Sequence, residues 1–246
     1  MPTPADLRVA FRDAKTRIQS MLRNWISQRS LVSILLLALL SGLIYYFLIP
    51  PWWHYDEPGQ FEYAWLAANR PTWPQPGDYD QAMRREMAKS MQSYGWYSIR
   101  NYKLDLSSNE PIWIGATQTG GQPGYYFLIS LPLRLLYNAD ILTQYDAARL
   151  VSLLLYILTI LVVWNALGEI LSEGHPLRWM VAAFLALLPA FVDQMVSIND
   201  DVGAVLAASL CLWASLRLIK RGPSLGRLLF FGVTLALCYL VFEVRS

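Results

Sequence analysis

The sequence predicts an all-α, multi-pass membrane protein with about five transmembrane helices and further juxtamembrane helices in a long first extracytoplasmic loop. Three observations predict it. Of the 246 residues, 55% are apolar and only 15% are charged, whereas soluble domains have roughly 45–50% and 25%. Mean hydropathy is +0.30. Apolar stretches of spanning length recur along the chain, with basic residues in short runs at their ends, the placement that the positive-inside rule describes.

Residues 1–29 carry Leu7, Phe11, Ala14, Ile18, Leu22 and Trp25 at helical spacing, with Arg and Lys residues between them. This pattern reads as a basic amphipathic helix on the cytoplasmic membrane surface. A plain solvated tail is the alternative, and the helical period favours the interfacial helix. The following apolar run starts too late for a signal peptide, and no small-residue cleavage site follows it.

A span needs about 20 mostly apolar residues. The first transmembrane segment is residues 30–50, with its apolar stretch at 31–49. Residues 147–246 supply the other four, at 147–167, 177–198, 202–219 and 225–242. Residues 123–137 are too short and contain Pro132 and Arg134, so they read as a re-entrant or interfacial segment. Charge then sets the direction. Arg8, Arg12, Lys15, Arg17, Arg23 and Arg29 hold the N-terminus in the cytoplasm. Counting onward, Asp56 and Glu57 emerge outside, His175 and Arg178 return inside, Asn199–Asp201 emerge outside, and Arg217, Lys220, Arg221 and Arg227 return inside. The expected location is the plasma membrane, with a loop over residues 51–146 on the extracytoplasmic face.

That loop holds Trp52, Trp53, Trp65, Trp73, Trp96 and Trp113, six of the ten tryptophans. An interfacial aromatic belt accounts for such rings, and stacking on sugar faces is the functional alternative. Three short helices lying along the membrane surface are expected within it. The first starts at Asp56 or Glu57 with Pro58 in its first turn. The second starts at Asp78, with Gln81 completing a capping box and Tyr79, Met83, Met87 and Met91 as its apolar stripe. The third is residues 123–137.

Composition excludes some functions. A net charge of +2 gives no handle for nucleic acid. Cys211 and Cys238 lie inside apolar stretches and read as small hydrophobes, without disulfide or zinc. His54 and His175 are too few and too far apart for a metal cluster.

The chemistry-bearing string is Trp53-His54-Tyr55-Asp56-Glu57-Pro58. Two carboxylates just beyond a span must be hydrated, paired or used. At a helix N-terminus a carboxylate is expected to stay ionised, the state a general base needs. Helix capping alone also explains these acids, and it explains Asn199, Asp200 and Asp201 at the start of a later span. A cation held between the two acidic clusters is the weaker alternative on charge, and nothing in the spacing indicates a divalent metal.

These motifs together resemble the start of the C-type glycosyltransferases, the superfamily that includes protein O-mannosyltransferases and lipid A aminoarabinose transferases. His54-Tyr55-Asp56-Glu57 is similar to their first-loop acidic motif. Gln122-Pro123-Gly124-Tyr125-Tyr126-Phe127-Leu128 resembles their His/Lys-Pro-Pro-Leu-Tyr-Tyr segment, and Ala147-Ala148-Arg149-Leu150 resembles the Ala-Arg-Leu start of their second span. Asn199-Asp200-Asp201 falls where many members place a second-loop acid. The resemblance implies inverting transfer of a sugar from a polyprenyl-phosphate donor, without an obligate cofactor. Asp56 would be the base and Glu57 its partner in catalysis. His54, Gln122, Arg149, Asn199, Asp200 and Asp201 would contact substrate, with Arg149 neutralising the lipid phosphate; a snorkelling interfacial arginine is the alternative for that residue. Gln122 replaces the family's basic residue and Gly124 its second proline. The chain carries five expected spans where these enzymes have about ten or more, so it reads as an N-terminal portion that needs a C-terminal half or partner subunit. The competing readings are a non-catalytic membrane scaffold and a transporter subunit.

Overall fold

The computed structural model describes residues 29–54, 56–107 and 110–241. The expected amphipathic helix before Arg29 lies outside the described residues, as does the last residue of the fifth apolar stretch. Every regular element among the described residues is a helix.

Among the described residues, three helices are long and apolar enough to cross a membrane: α1 (Arg29–Leu48), α6 (Ile141–Ile170) and α9 (Asp200–Arg221). A fourth candidate is broken. α7 (Pro176–Leu187) and α8 (Pro189–Val196) meet at 62°. The break follows from Pro189, which has no N–H to donate and forces Leu188 into extended backbone at φ −67°, ψ 111°. α10 (Leu225–Val241) is apolar but only 17 residues long. The helical membrane class therefore rests on three or four candidate spans. The continuous span expected over residues 177–198 is two helices.

Four shorter helices fill the segment between α1 and α6: α2 (Glu57–Asn69), α3 (Gln81–Ser93), α4 (Trp96–Ile99) and α5 (Pro123–Leu135). α3 begins later than expected. Asp80 accepts the Met83 amide and caps it, whereas Asp78 accepts the Gln75 amide and pairs with Arg70. Met83, Met87 and Met91 form the buried stripe, and Tyr79 stays exposed. Trp52 and Trp96 are core residues, while Trp53 and Trp113 are exposed. Burial of a large ring in a packed loop outweighs its preference for the membrane interface.

The bundle has two chemically distinct ends. At one, Arg221 donates from Nε to Glu169 at 2.8 Å. Arg178 donates to the Trp164 carbonyl at 3.2 Å, and Trp179 reaches Ser33. The starts of α1 and α7 and the ends of α6 and α9 therefore meet in a basic cluster. At the other end, the start of α9 lies beside α2, α5 and the first turns of α6. Tyr125 of α5 bonds Ser152 of α6 at 2.9 Å and accepts the Asn199 amide at 2.9 Å. α10 returns along α9, and Leu240 at its end lies against Gly124.

α2 is enclosed on all sides, although a helix lying along the membrane surface was expected. Glu57, Pro58, Gly59, Gln60, Phe61, Glu62, Tyr63 and Ala64 are all buried. Its Glu62 is bound by Arg84 of α3, with Nη2 to Oε2 at 2.8 Å. Gly59 makes this enclosure possible, since a Cβ there would lie 1.8 Å from the Ala116 carbonyl oxygen. Backbone cannot yield as a side-chain tip can. Gly59→Ala is expected to cost about 1–3 kcal/mol through overpacking, seen as a lower melting temperature of the solubilised protein. An unchanged melt would show that the 115–117 segment moves aside.

Candidate functional site

The site starts from the end of α1. A helix leaves its last carbonyls without intrahelical partners, and a buried arginine takes them up here. Arg149 Nη1 donates to the Tyr46 and Ile49 carbonyls at 3.2 and 3.0 Å, and Nη2 lies 3.4 Å from that of Pro50. The same guanidinium grips Glu57 from Nε at 2.9 Å and Nη2 at 3.0 Å. Tyr145 stands one turn before Arg149 on the same face of α6 and donates to Glu57 at 2.7 Å. The Ile198 amide completes the set at 3.1 Å. One carboxylate thus ties together α1, α2, α6 and the turn leading into α9.

Glu57 is fully buried and Arg149 is 2% exposed. Burial alone pushes the Glu57 carboxyl up. The Arg149 charge, helped by His54 and by the Arg149 and Tyr145 hydrogen bonds, outweighs it and holds the group below the usual carboxylate range. In this arrangement the arginine expected to meet a lipid phosphate is directed at Glu57 and at α1 carbonyls. The glutamate expected to act in catalysis is its counter-ion. The pair ties α2 to α6 and to the end of α1.

Asp56 differs from its neighbour in every respect. It is partly exposed, sits in left-handed backbone at φ 55°, and makes no side-chain cap hydrogen bond to α2. Aspartate tolerates this conformation better than most residues. The low pKa expected from capping does not arise, because burial pushes this carboxyl up. Gln118 Nε2 lies 3.5 Å from its Oδ2.

The second acidic cluster comes to the same end. Gln60, one turn beyond Asp56, donates to Asp200 at 3.2 Å and accepts the Tyr126 hydroxyl proton. Asn199 caps α9 by accepting the Asp201 amide, and Asp201 accepts from Gln194 at 3.0 Å. His54 is buried, with Nδ1 3.2 Å from Asp193 of α8, and its buried Nε2 has no hydrogen-bond partner among the described residues. Gln122 is the N-cap residue of α5 and lines a separate cleft. Asp56, His54, Glu57, Arg149 and Asp200 thus gather in one region, with Gln122 beside it. Asp193, Tyr145, Gln60 and Gln118 are functional candidates that the motifs did not single out. A lone carboxylate within an apolar stretch was the available signal for Asp193.

Burial lowers the His54 pKa, against the opposing charges of Glu57 and Asp193 and with the help of Arg149. The unfolded chain therefore binds the proton first as pH falls below about 6.5, and stability is lost from there downward. Glu57, whose folded pKa is depressed, adds a further loss below about 4.3. His54→Gln is expected to flatten the melting temperature between about pH 6.5 and 5. An unaltered profile in that variant would assign the decline to another group.

Among the described residues, no three His, Cys, Asp or Glu side chains are grouped so that they could hold a metal ion. Comparison with protein-family models, with curated proteins and with solved structures gives no match for this chain.

Proposed function

We propose that the protein is a membrane glycosyltransferase that moves a sugar from a polyprenyl-phosphate donor to an acceptor hydroxyl on the extracytoplasmic face. The observation that carries this reading is the unequal treatment of two adjacent carboxylates. Glu57 is locked by four hydrogen bonds. Asp56 is left partly open, at the end of the bundle where Asp200 also lies. A carboxylate whose pKa is raised by partial burial is a stronger base than a capped one.

In this reading Asp56 takes the acceptor's hydroxyl proton as its oxygen attacks the anomeric carbon. The anomeric C–O bond to phosphate breaks, and polyprenyl phosphate leaves with the bonding pair, inverting the anomeric centre. His54 and the Gln60–Asp200 pair flank the base, while Glu57 and Arg149 hold the segment that presents it. Five crossings in the plasma membrane, with the basic end cytoplasmic, complete the picture, and α5 dips into the outer end without crossing. At 13 residues it spans only about 20 Å. The ordered resemblance of the His54–Glu57, Gln122–Leu128 and Ala147–Leu150 strings to C-type glycosyltransferases supports the same reaction.

The break between α7 and α8, with Asp193 on the short half, favours a transporter subunit as the second reading. Asp56, Asp193, Asp200 and Asp201 gather at one end of the bundle, which favours surface chemistry over passage.

Sealed right-side-out vesicles containing the protein test both readings. Transfer of labelled sugar from polyprenyl phosphate to material on the outer face, with inverted configuration, is the expected result. Retained configuration, or uptake of solute with the donor intact, would overturn it.

A further inference from the structure

About two turns along α2 from Asp56, at Tyr63, lies a cleft of about 600 Å³, within the ~300–1,000 Å³ of small-molecule sites. Its walls are the Pro-rich turn after α2 and the turn leading into α5. Tyr63, Trp73, Gln75, Pro76, Gly120 and Gln122 define it. We propose that this cleft binds a neutral saccharide unit of the acceptor, a reading that rests on the glycosyl-transfer function proposed for Asp56.

Among the described residues, no side chain lining the cleft carries a charge, so these residues offer nothing to neutralise a phosphate or a carboxylate. Its groups are the Trp73 ring, prolines and amides, Tyr63 being buried against Tyr126. An amide donates and accepts at once, as a sugar hydroxyl does. An aromatic face attracts the weakly positive C–H edge of a pyranose. The Gln122 amide has no hydrogen-bond partner among the described residues.

Hydrogen bonds and a close approach tie the walls of the cleft together. Trp73 donates to the Tyr63 hydroxyl at 2.9 Å, and that hydroxyl donates to the Gly121 carbonyl at 2.8 Å. A Cβ on Gly120, whose φ is +108°, would lie 2.8 Å from Pro76 Cγ. The two walls therefore touch there, at a position suited to glycine. One turn connects the cleft to the base. The Gly121 amide donates to the Gln118 carbonyl at 3.2 Å, and the Gln118 side chain faces Asp56. A saccharide in the cleft would present a hydroxyl toward that carboxylate across a single turn.

The test is calorimetric titration of the detergent-solubilised full chain with maltotriose, mannotriose and cellotriose. At least one is expected to bind saturably. Trp73→Ala is expected to weaken binding about tenfold. Gln122→Trp fills the cleft from a half-exposed position without removing a buried contact, and is expected to abolish binding. Asp56→Asn should leave it unchanged. Binding of none of the three sugars overturns the proposal, as does binding undiminished in Gln122→Trp. A Ser/Thr-rich peptide that binds in their place and is blocked by Gln122→Trp also overturns it. Saccharide binding without sugar transfer by the wild-type protein would remove the base role of Asp56 and leave the cleft's ligand standing; transfer without saccharide binding would do the reverse.

Discussion

Arg149→Met is expected to destabilise the fold by about 3–5 kcal/mol, the loss typical of removing one partner from a buried ion pair. The side chain is almost fully enclosed, and methionine has nearly its length but no donors. Glu57 would then stay buried with only the Tyr145 and Ile198 hydrogen bonds, and the Tyr46 and Ile49 carbonyls would lose their partner. For a chain of this length the melting temperature should fall by on the order of 10 °C. Arg149→Lys should recover little, since a point charge cannot grip a carboxylate on two oxygens while also reaching the carbonyls at the end of α1. Glu57→Gln in the Arg149→Met background should recover part of the loss, because it removes the orphaned charge. The coupling between the two positions is the diagnostic quantity. Additive losses would show that the pair does not act as a unit.

The bundle was largely legible in the sequence because lipid imposes a coarse, length-based rule. The apolar stretches and their basic ends could be read directly. Topology alone also brought Asp56 and Glu57 toward Asn199–Asp201, and the Gln60–Asp200 contact joins those regions in space. The break at Leu188 depends on Pro189, which was visible, but prolines within apolar stretches do not always break a helix.

The different surroundings of Asp56 and Glu57 were not legible. Both stand at the same helix start, and only the tertiary partner separates them. Arg149 is 92 residues away, and nothing local announces that it faces Glu57. Tyr145, one turn earlier, was the one accessible clue to a shared face. The aromatic residues were ambiguous for a related reason. Trp52 and Trp53 are adjacent, yet one is fully buried and the other is exposed. The start of α3 was misplaced because Asp78 and Asp80 are both good caps, and the Arg70 contact that claims Asp78 is tertiary.

Asp56→Asn is expected to reduce sugar transfer by roughly 10²–10⁴-fold, the range that general-base catalysis supplies. The substitution keeps the shape of the side chain, and asparagine tolerates the left-handed backbone found there. The Asp56 carboxylate makes no cap bond whose loss would weaken α2. Folding should therefore be unaffected, with a melting temperature close to that of the wild type. Glu57→Gln should behave differently, losing stability and activity together, because its carboxylate holds Arg149.

Measuring transfer from a polyprenyl-phosphate donor and thermal melting side by side, on Asp56→Asn and Glu57→Gln, tests the central claim most directly. The account predicts an inactive but well-folded Asp56→Asn protein beside an unstable Glu57→Gln protein. An Asp56→Asn protein that transfers sugar at the wild-type rate would contradict it.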